Sequence, residues 1–300
     1  MKLFSNKKNL AGLAISGALI FGGSFVNIPV LAANVNVNVN IENQGGVHWN
    51  KGADSDVVAI GISRPDPRGL ALAREAAIMA AQRNLISIVQ GMQINSTTTM
   101  RDLVIESDIV NRRISGTLRG AQIIEEEVTN DGGYYIKMRV PIYGVGESIA
   151  AAVVPAIMPS TPQSFNAPNL QNLTPSTIQD VQYAQYSGVI VDASGLGLTE
   201  TFSPVIYDIN GRSIYGIENL QNDALIIDEG MVSYSNSVND ATALQRAGNS
   251  PLIVKAVSVR GGNNSVNKVN AVISAQDADK ILLANEKTHM LEDCAVVFVK

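Results

Sequence analysis

The spacing of apolar and polar residues predicts an α+β protein. From Asn34 to Ile41, Asn alternates strictly with Val or Ile, a period of two that suits a strand with one apolar and one amide face. Gly45-Gly46 then reads as an uncoupling point, so residues 34–52 form an N-terminal arm, read as a floppy terminus in preference to an edge strand that pairs with a partner chain. Val57 to Ile62 is an apolar strand. Arg64-Pro65-Asp66-Pro67 predicts a turn into a helix, with Asp66 as N-cap and Pro67 at the first helical position. Leu70, Ala73, Ala77, Ala80, Ala81, Leu85 and Ile88 recur at helical spacing up to Gly91. That apolar side is mostly Ala, so the helix can approach a sheet closely. Met92 to Met100, with three consecutive Thr, reads as a strand, and Ser107 to Arg119 as a second helix with Val110, Ile114 and Leu118 on one face.

Ile123–Val128 and Tyr134–Ile142 flank Asn130-Asp131-Gly132-Gly133, a hairpin signal. A three-residue loop would pair Glu127 with Lys137 and Glu125 with Arg139 on one face, and set Ile124 and Val128 against Val140 and Ile136 on the other. Pro155, Pro159, Pro162, Pro168 and Pro175 lie among Ser, Thr, Asn and Gln, so residues 155–182 read as an extended, solvated linker. It divides a first domain, residues 53–154, from a second, residues 183–300.

The second domain opens on the buried-type strand Val189-Ile190-Val191 and continues with a hairpin around Asn210-Gly211. A short helix follows over Ser237–Ala247, then a strand pair, Pro251–Arg260 with Lys268–Ile273. A helix capped by Ser274 and a closing strand, Ala295–Val299, end the chain. Strands alternate irregularly with few helices. The expected architecture is therefore two α+β domains, each a mainly antiparallel sheet with helices packed on it.

Composition adds an address. Lys2, Lys7 and Lys8 precede an apolar stretch from Leu10 to Val26, then Pro29 and the small pair Ala32-Ala33, so residues 1–33 read as a cleaved export signal. The rival is an uncleaved membrane anchor, the one route by which this chain would touch a membrane. The expected location is the periplasm or the cell envelope. A net charge of −5, falling to about −8 once the signal leaves, excludes nucleic acid as a partner. The single Cys, Cys294, excludes an intrachain disulfide and, being far from residue 33, an N-terminal lipid anchor. With two His and one Cys, no metal site and no cofactor are expected.

The first domain resembles the lipoprotein-20 domain family of bacterial envelope proteins. The resemblance is carried by Val57–Ser63, the Ala-rich helix with Arg74 and Arg83-Asn84-Leu85, and Gly91-Met92-Gln93-Ile94-Asn95-Ser96-Thr97. Gly120-Ala121-Gln122-Ile123-Ile124-Glu125 and Asp131-Gly132-Gly133-Tyr134-Tyr135-Ile136 also fit. It implies an envelope or flagellum-associated protein without enzymatic activity. The missing acylated Cys sets this chain apart from the lipoprotein members.

Candidate chemistry is sparse. Asp192 ends a buried strand before Ser194-Gly195-Leu196-Gly197, so Asp192, Ser194, Gly195 and Gly197 are candidate binding residues beside a Gly-rich loop. The competing reading is a capped turn. Trp49, next to His48, is a candidate docking anchor or an aromatic tucked against the first domain. Asp208-Ile209-Asn210-Gly211 reads as a hairpin turn rather than a calcium loop. Catalytic residues are not assigned. The expectation is a non-catalytic exported scaffold that associates with itself or with other envelope proteins. Its alternative is an exported cell-wall hydrolase centred on Asp192 and Asp208 with Ser194, and a weaker one is a ligand sensor built on the Gly-rich loop.

Overall fold

The computed structural model describes residues 44–49, 54–243, 245–261 and 267–300. The expected export signal, the Asn34–Ile41 alternation and residues 262–266 between the strands expected at Pro251–Arg260 and Lys268–Ile273 lie outside the described residues. The fold is α+β.

The first sheet has four antiparallel strands in the order β1 (Gly45–His48), β2 (Asp56–Ser63), β4 (Tyr134–Pro141), β3 (Gln122–Val128). Gly45-Gly46 belongs to the sheet rather than standing as a break before it. Gly45 is the first residue of β1, and a Cβ there would lie 2.1 Å from the Val58 carbonyl oxygen. Helix α1 (Leu70–Gly91) lies across β2 and β4 on its stripe of Ala73, Ala77, Ala81, Leu85 and Val89. The small side chains bring backbone against backbone: a Cβ on Gly61 would sit 2.0 Å from the Ala77 carbonyl oxygen. Val57 and Ala59 share this face of β2 with Gly61, opposite Val140, Met138 and Ile136 of β4.

Three local expectations need correcting. Asp66 does not cap α1. Its carboxylate takes the backbone N–H and the guanidinium of Arg68, and the helix begins only after Gly69. Met92–Met100 is not a strand beyond one bridge, Gln93 to Thr99. Asn95 Oδ1 accepts from the backbone N–H of Thr97 and Thr98, closing a tight turn, and Thr99 with Asp102 builds a reciprocal cap for α2 (Met100–Glu106). The β3–β4 register differs by two from the expected one. Glu125 pairs with Lys137 and Gln122 with Arg139, with an irregularity between Ile123 and Glu125. The loop keeps the expected three residues and left-handed Gly, Gly132 at φ +87°, but it spans 130–132, one position earlier than the expected register needs: the Thr129 N–H bonds the Gly133 carbonyl, and Asp131 accepts from Thr129 Oγ1 at 2.5 Å and from the Gly133 N–H at 3.2 Å. Helix α3 (Asp108–Arg119), capped by Ser107, leads into β3 as expected.

The anticipated domain boundary at residue 154 falls inside helix α4 (Ile149–Ile157), which packs on α3 and on α6 (Asp223–Glu229). The Pro-rich stretch beyond it is fastened down. Gln163 N–H reaches the Glu218 carbonyl, Asn166 the Ser213 carbonyl, and Asn169 and Asn172 the Asp279 carboxylate. Its end forms α5 (Pro175–Tyr183), which packs on α8 (Ala275–Thr288). One contiguous buried cluster runs from Val57 and Val140 of the first sheet to Val191 and Phe298 of the second.

The second sheet has seven strands in the order β7 (Ser213–Tyr215), β6 (Ile206–Asp208), β10 (Asn270–Ile273), β9 (Pro251–Arg260), β5 (Gly188–Asp192), β11 (Val296–Val299), β8 (Ser233–Ser235). It is mixed rather than mainly antiparallel. Only β7–β6 and β10–β9 are antiparallel, whereas β9, β5, β11 and β8 run parallel. Helical crossovers deliver these strands: α6 precedes β8, α7 (Val238–Ala243) precedes β9, and α8 precedes β11. Covered on both faces, β5 and β11 read as continuous apolar runs. Ile190, Val297 and Val299 pack with Val238 and Ala241 of α7, while Val189, Val191, Val296 and Phe298 enter the main core.

Candidate functional site

The two sheets meet through backbone bonds and aromatic rings. The Gln93 carbonyl accepts from the Phe202 N–H and the Thr201 hydroxyl, and the Ile94 carbonyl from the Ser203 N–H and hydroxyl at 2.7 Å each. Trp49, just past β1, lies between Tyr143, which follows β4, and Tyr234 of β8, with ring centroids 6.4 and 6.1 Å away. Tyr143 then meets Phe202 at 5.6 Å, and Tyr234 meets Phe298 at 6.0 Å. The Tyr234 hydroxyl donates to the Thr201 carbonyl and accepts from the Thr201 N–H. Burial pushes the phenols of Tyr143, Tyr215 and Tyr234 up, so all three stay protonated. The Tyr215 hydroxyl donates to the Met231 carbonyl, so the tips of Tyr215 and Tyr234 pin loops.

Above this aromatic floor lies an open cleft of about 690 Å³. It sits beyond the C-terminal ends of β8 and β11, where parallel strands commonly present ligand sites. His48, Glu200, Ser235, Asp240 and Lys300 line it with Trp49 and Tyr234. Several of these groups are already engaged. Lys300 is ion-paired with Glu200, and its backbone N–H bonds the Ser235 carbonyl. Asp240 accepts from Ser237 in the turn that opens α7. The His48 ring lies 2.9 Å from Asp56, whose other oxygen lies 2.6 Å from Arg139. Residues 50–53, which join Trp49 to Asp54 on the cleft wall, lie outside the described residues.

Of the residues singled out by sequence, Trp49 alone belongs to this cleft. Asp192, Ser194, Gly195 and Gly197 form a turn one strand away, where the Ala193 N–H bonds the Val299 carbonyl. Ser194 donates both its N–H, at 3.0 Å, and its hydroxyl to Asp192 Oδ1. Those bonds hold the Asp192 carboxyl below its usual range, helped by Lys255. Gly195 and Gly197 both have φ of +74°, which the turn requires. This is a capped turn, the bland alternative weighed from the sequence.

Asp208 does not join it. Three strand spacings separate β6 from β5, about 14 Å, beyond the reach of a paired-carboxylate hydrolase site. Asp208 is buried and belongs to another network. Its Oδ1 accepts from the N–H groups of Asn210 and Arg212, and its Oδ2 from Arg212 Nε at 3.1 Å. Arg212 Nη2 reaches Asp279, fully buried, at 2.6 Å. Burial pushes the Asp208 carboxyl up, but the two backbone N–H groups and the guanidinium outweigh it, so the net shift is downward. The sequence pattern places Arg212 only beside the Asn210-Gly211 turn, and nothing local joins it to Asp279.

All seven strands of the second sheet lie between Gly188 and Val299. Residues 188–300 match the family model of the second domain of Tp0624 from Treponema pallidum. The Tp0624-like segment thus begins with β5 and takes in the whole seven-stranded sheet, the Asp192 turn and the Arg212 network. It covers less than half of the chain. The lipoprotein-20 resemblance of the first sheet is not confirmed by the same comparison. No curated protein matches the chain.

Proposed function

We propose that the protein is a non-catalytic, exported cell-envelope component that acts as a structural or assembly scaffold. The single observation that carries this reading is where its reactive side chains are engaged. Asp192 and Ser194 close a turn, Asp208, Arg212 and Asp279 hold the β6–β7 hairpin to α8 and the Pro-rich stretch, and Cys294 is buried. The same groups that a hydrolase would need are occupied in fixing the turns and loops of the second sheet. The lipoprotein-20 resemblance of residues 53–154 and the signal-like residues 1–33 favour the envelope, and surface or flagellar structures are the kind of assembly that fits. Among the described residues no helix is long and apolar enough to cross a membrane.

Fractionation of the producing cells, followed by cross-linking and identification of neighbours, tests the reading. The protein is expected in the envelope fraction, cross-linked to itself or to envelope proteins. Zymography on cell-wall material is the counter-test. Clearance that Asp192→Asn abolishes would replace the scaffold with a hydrolase.

A further inference from the structure

Strand β3 is an edge of the four-stranded sheet. Among the described residues it bonds only to β4, and every position from Gln122 to Val128 except Glu127 is exposed. Helix α1 lies over β2 and β4 and reaches β3 through the Arg74–Glu126 ion pair. Ile123, half-exposed Ile124 and half-exposed Val128 are therefore left uncovered. An open edge of this length, with Ile123, Ile124 and Val128 exposed beside three Glu, is a template for another strand of matching chemistry.

The two faces of β3 are unlike. Ile123, Glu126 and Val128 lie on the α1 side, opposite Met138, Ile136 and Tyr134. Gln122, Glu125 and Glu127 lie on the open side, opposite Arg139, Lys137 and Tyr135. A second β3 is a poor partner, because antiparallel pairing would set Glu125, Glu126 and Glu127 of one strand against the same residues of the other. The strand that fits is uncharged, alternates apolar with amide, and is about as long as β3. Asn34–Ile41 has all three properties. Its Val/Ile face would continue Ile123 and Val128, and its Asn face would meet Gln122, Glu125 and Glu127.

That segment cannot seat whole on the β3 of its own chain. It precedes Gln44, whose carbonyl accepts from the Ile60 N–H at the opposite edge of the sheet. A strand added beside β3 would lie four spacings from β1, about 19 Å. From Ile41 to Gln44 the chain reaches at most about 11 Å. We infer that the Asn34–Ile41 arm of one copy adds to the free β3 edge of a second copy, extending the four-stranded sheet between molecules. Donor and acceptor surfaces differ, so the contact is head-to-tail and repeats along a row of copies rather than closing as a two-fold dimer. This deepens the scaffold reading and rests on it for the role of self-association.

Light scattering on the full chain, processed as the cell processes it, should give a concentration-dependent series of masses extending beyond the dimer. Deleting residues 34–41, or introducing Ile123→Lys with Val128→Lys on the exposed edge, should each leave only monomer with an unchanged circular dichroism spectrum. A synthetic peptide of residues 34–41 should bind the arm-deleted chain at one per copy and bind at least tenfold more weakly when the edge also carries the two Lys. A strict monomer at every concentration, an unchanged mass series after arm deletion, or equal peptide binding to both edges would overturn the inference. The scaffold reading fails separately. If the arm-deleted chain still cross-links to envelope proteins, the scaffold stands and the arm contact is wrong wherever the masses are also unchanged. If the full chain forms arm-dependent rows but is absent from the envelope fraction, the arm contact stands and the envelope role falls.

Discussion

The two sheets handle burial and charge in opposite ways. In the first, β4 alternates: Ile136, Met138 and Val140 are buried while Lys137 and Arg139 point to the open face. In the second, β5 and β11 are buried on both sides. Charge follows the same division. Glu125–Lys137 and Glu126–Arg74 lie on the surface of the first sheet, where solvent screens them. Asp208, Arg212 and Asp279 are taken out of water in the second. The lesson is that the first sheet keeps a face and an edge available for contact, whereas the second uses its polar groups internally to fix its own loops.

The largest expected effect comes from breaking the buried network. Arg212→Ala leaves Asp208 and Asp279, 2% and 0% exposed, without their cation, and the Ala167 carbonyl of the Pro-rich stretch loses its bond from Arg212 Nη1. A loss of about 3–5 kcal/mol is expected in urea unfolding followed by circular dichroism. A loss below about 1 kcal/mol would mean that the network does not distinguish the second sheet from the surface pairs of the first.

The next effect tests the close approach of α1 to the first sheet. Gly61→Val forces atoms into the Ala77 carbonyl and the Ala81 backbone. A cost of about 3 kcal/mol is expected, because neither a strand nor a helix backbone yields cheaply. Gly116→Ala is the control. Nothing lies within 4 Å of a Cβ there, in the interior of α3, so a gain of about 0.5–1 kcal/mol is expected from helix propensity.

Acid should separate the sheets as well. The folded Asp208 carboxyl lies below its ordinary value of 3.8. Its contribution to stability is therefore complete above that value and is lost as pH falls through the lower, folded one. Wild-type stability should drop on acidification below about pH 4, and Asp208→Asn, less stable at neutral pH, should show a shallower drop. Parallel denaturation curves from pH 6 to pH 2.5 check this. Equal slopes would show that Asp208 does not link folding to pH.

Much of this contrast was legible in residue patterns. The Ala stripe of α1, the Ser274 cap of α8 and the runs Val189–Val191 and Val296–Val299 all formed the elements expected. Those runs lack alternation, which is itself the mark of strands covered on both faces, and hairpin signals alone do not predict that they pair in parallel. Helices α4, α5 and α6 and strand β8 went unread because each is short and two lie among Pro, Asn and Gln. In the candidate site, Asp192-Ser194-Gly195 is local and could be read as a turn. Glu200, Asp240 and Lys300 are brought to Trp49 only by the tertiary fold. Arg212 and Asp279, 67 positions apart, left no local signal either.

The smallest effect concerns the face of the first sheet that the comparison describes as open. Glu125 Oε2 lies 3.5 Å from Lys137 Nζ, with the side chains 46% and 33% exposed. Screening and side-chain entropy leave such a pair with a coupling energy of about 0.5 kcal/mol or less. A double-mutant cycle with Glu125→Gln and Lys137→Met measures it free of other losses. A coupling above about 1 kcal/mol would show that this face is shielded in solution, and high salt would then discriminate. A covered pair keeps its coupling at 1 M salt, whereas an open one loses nearly all of it.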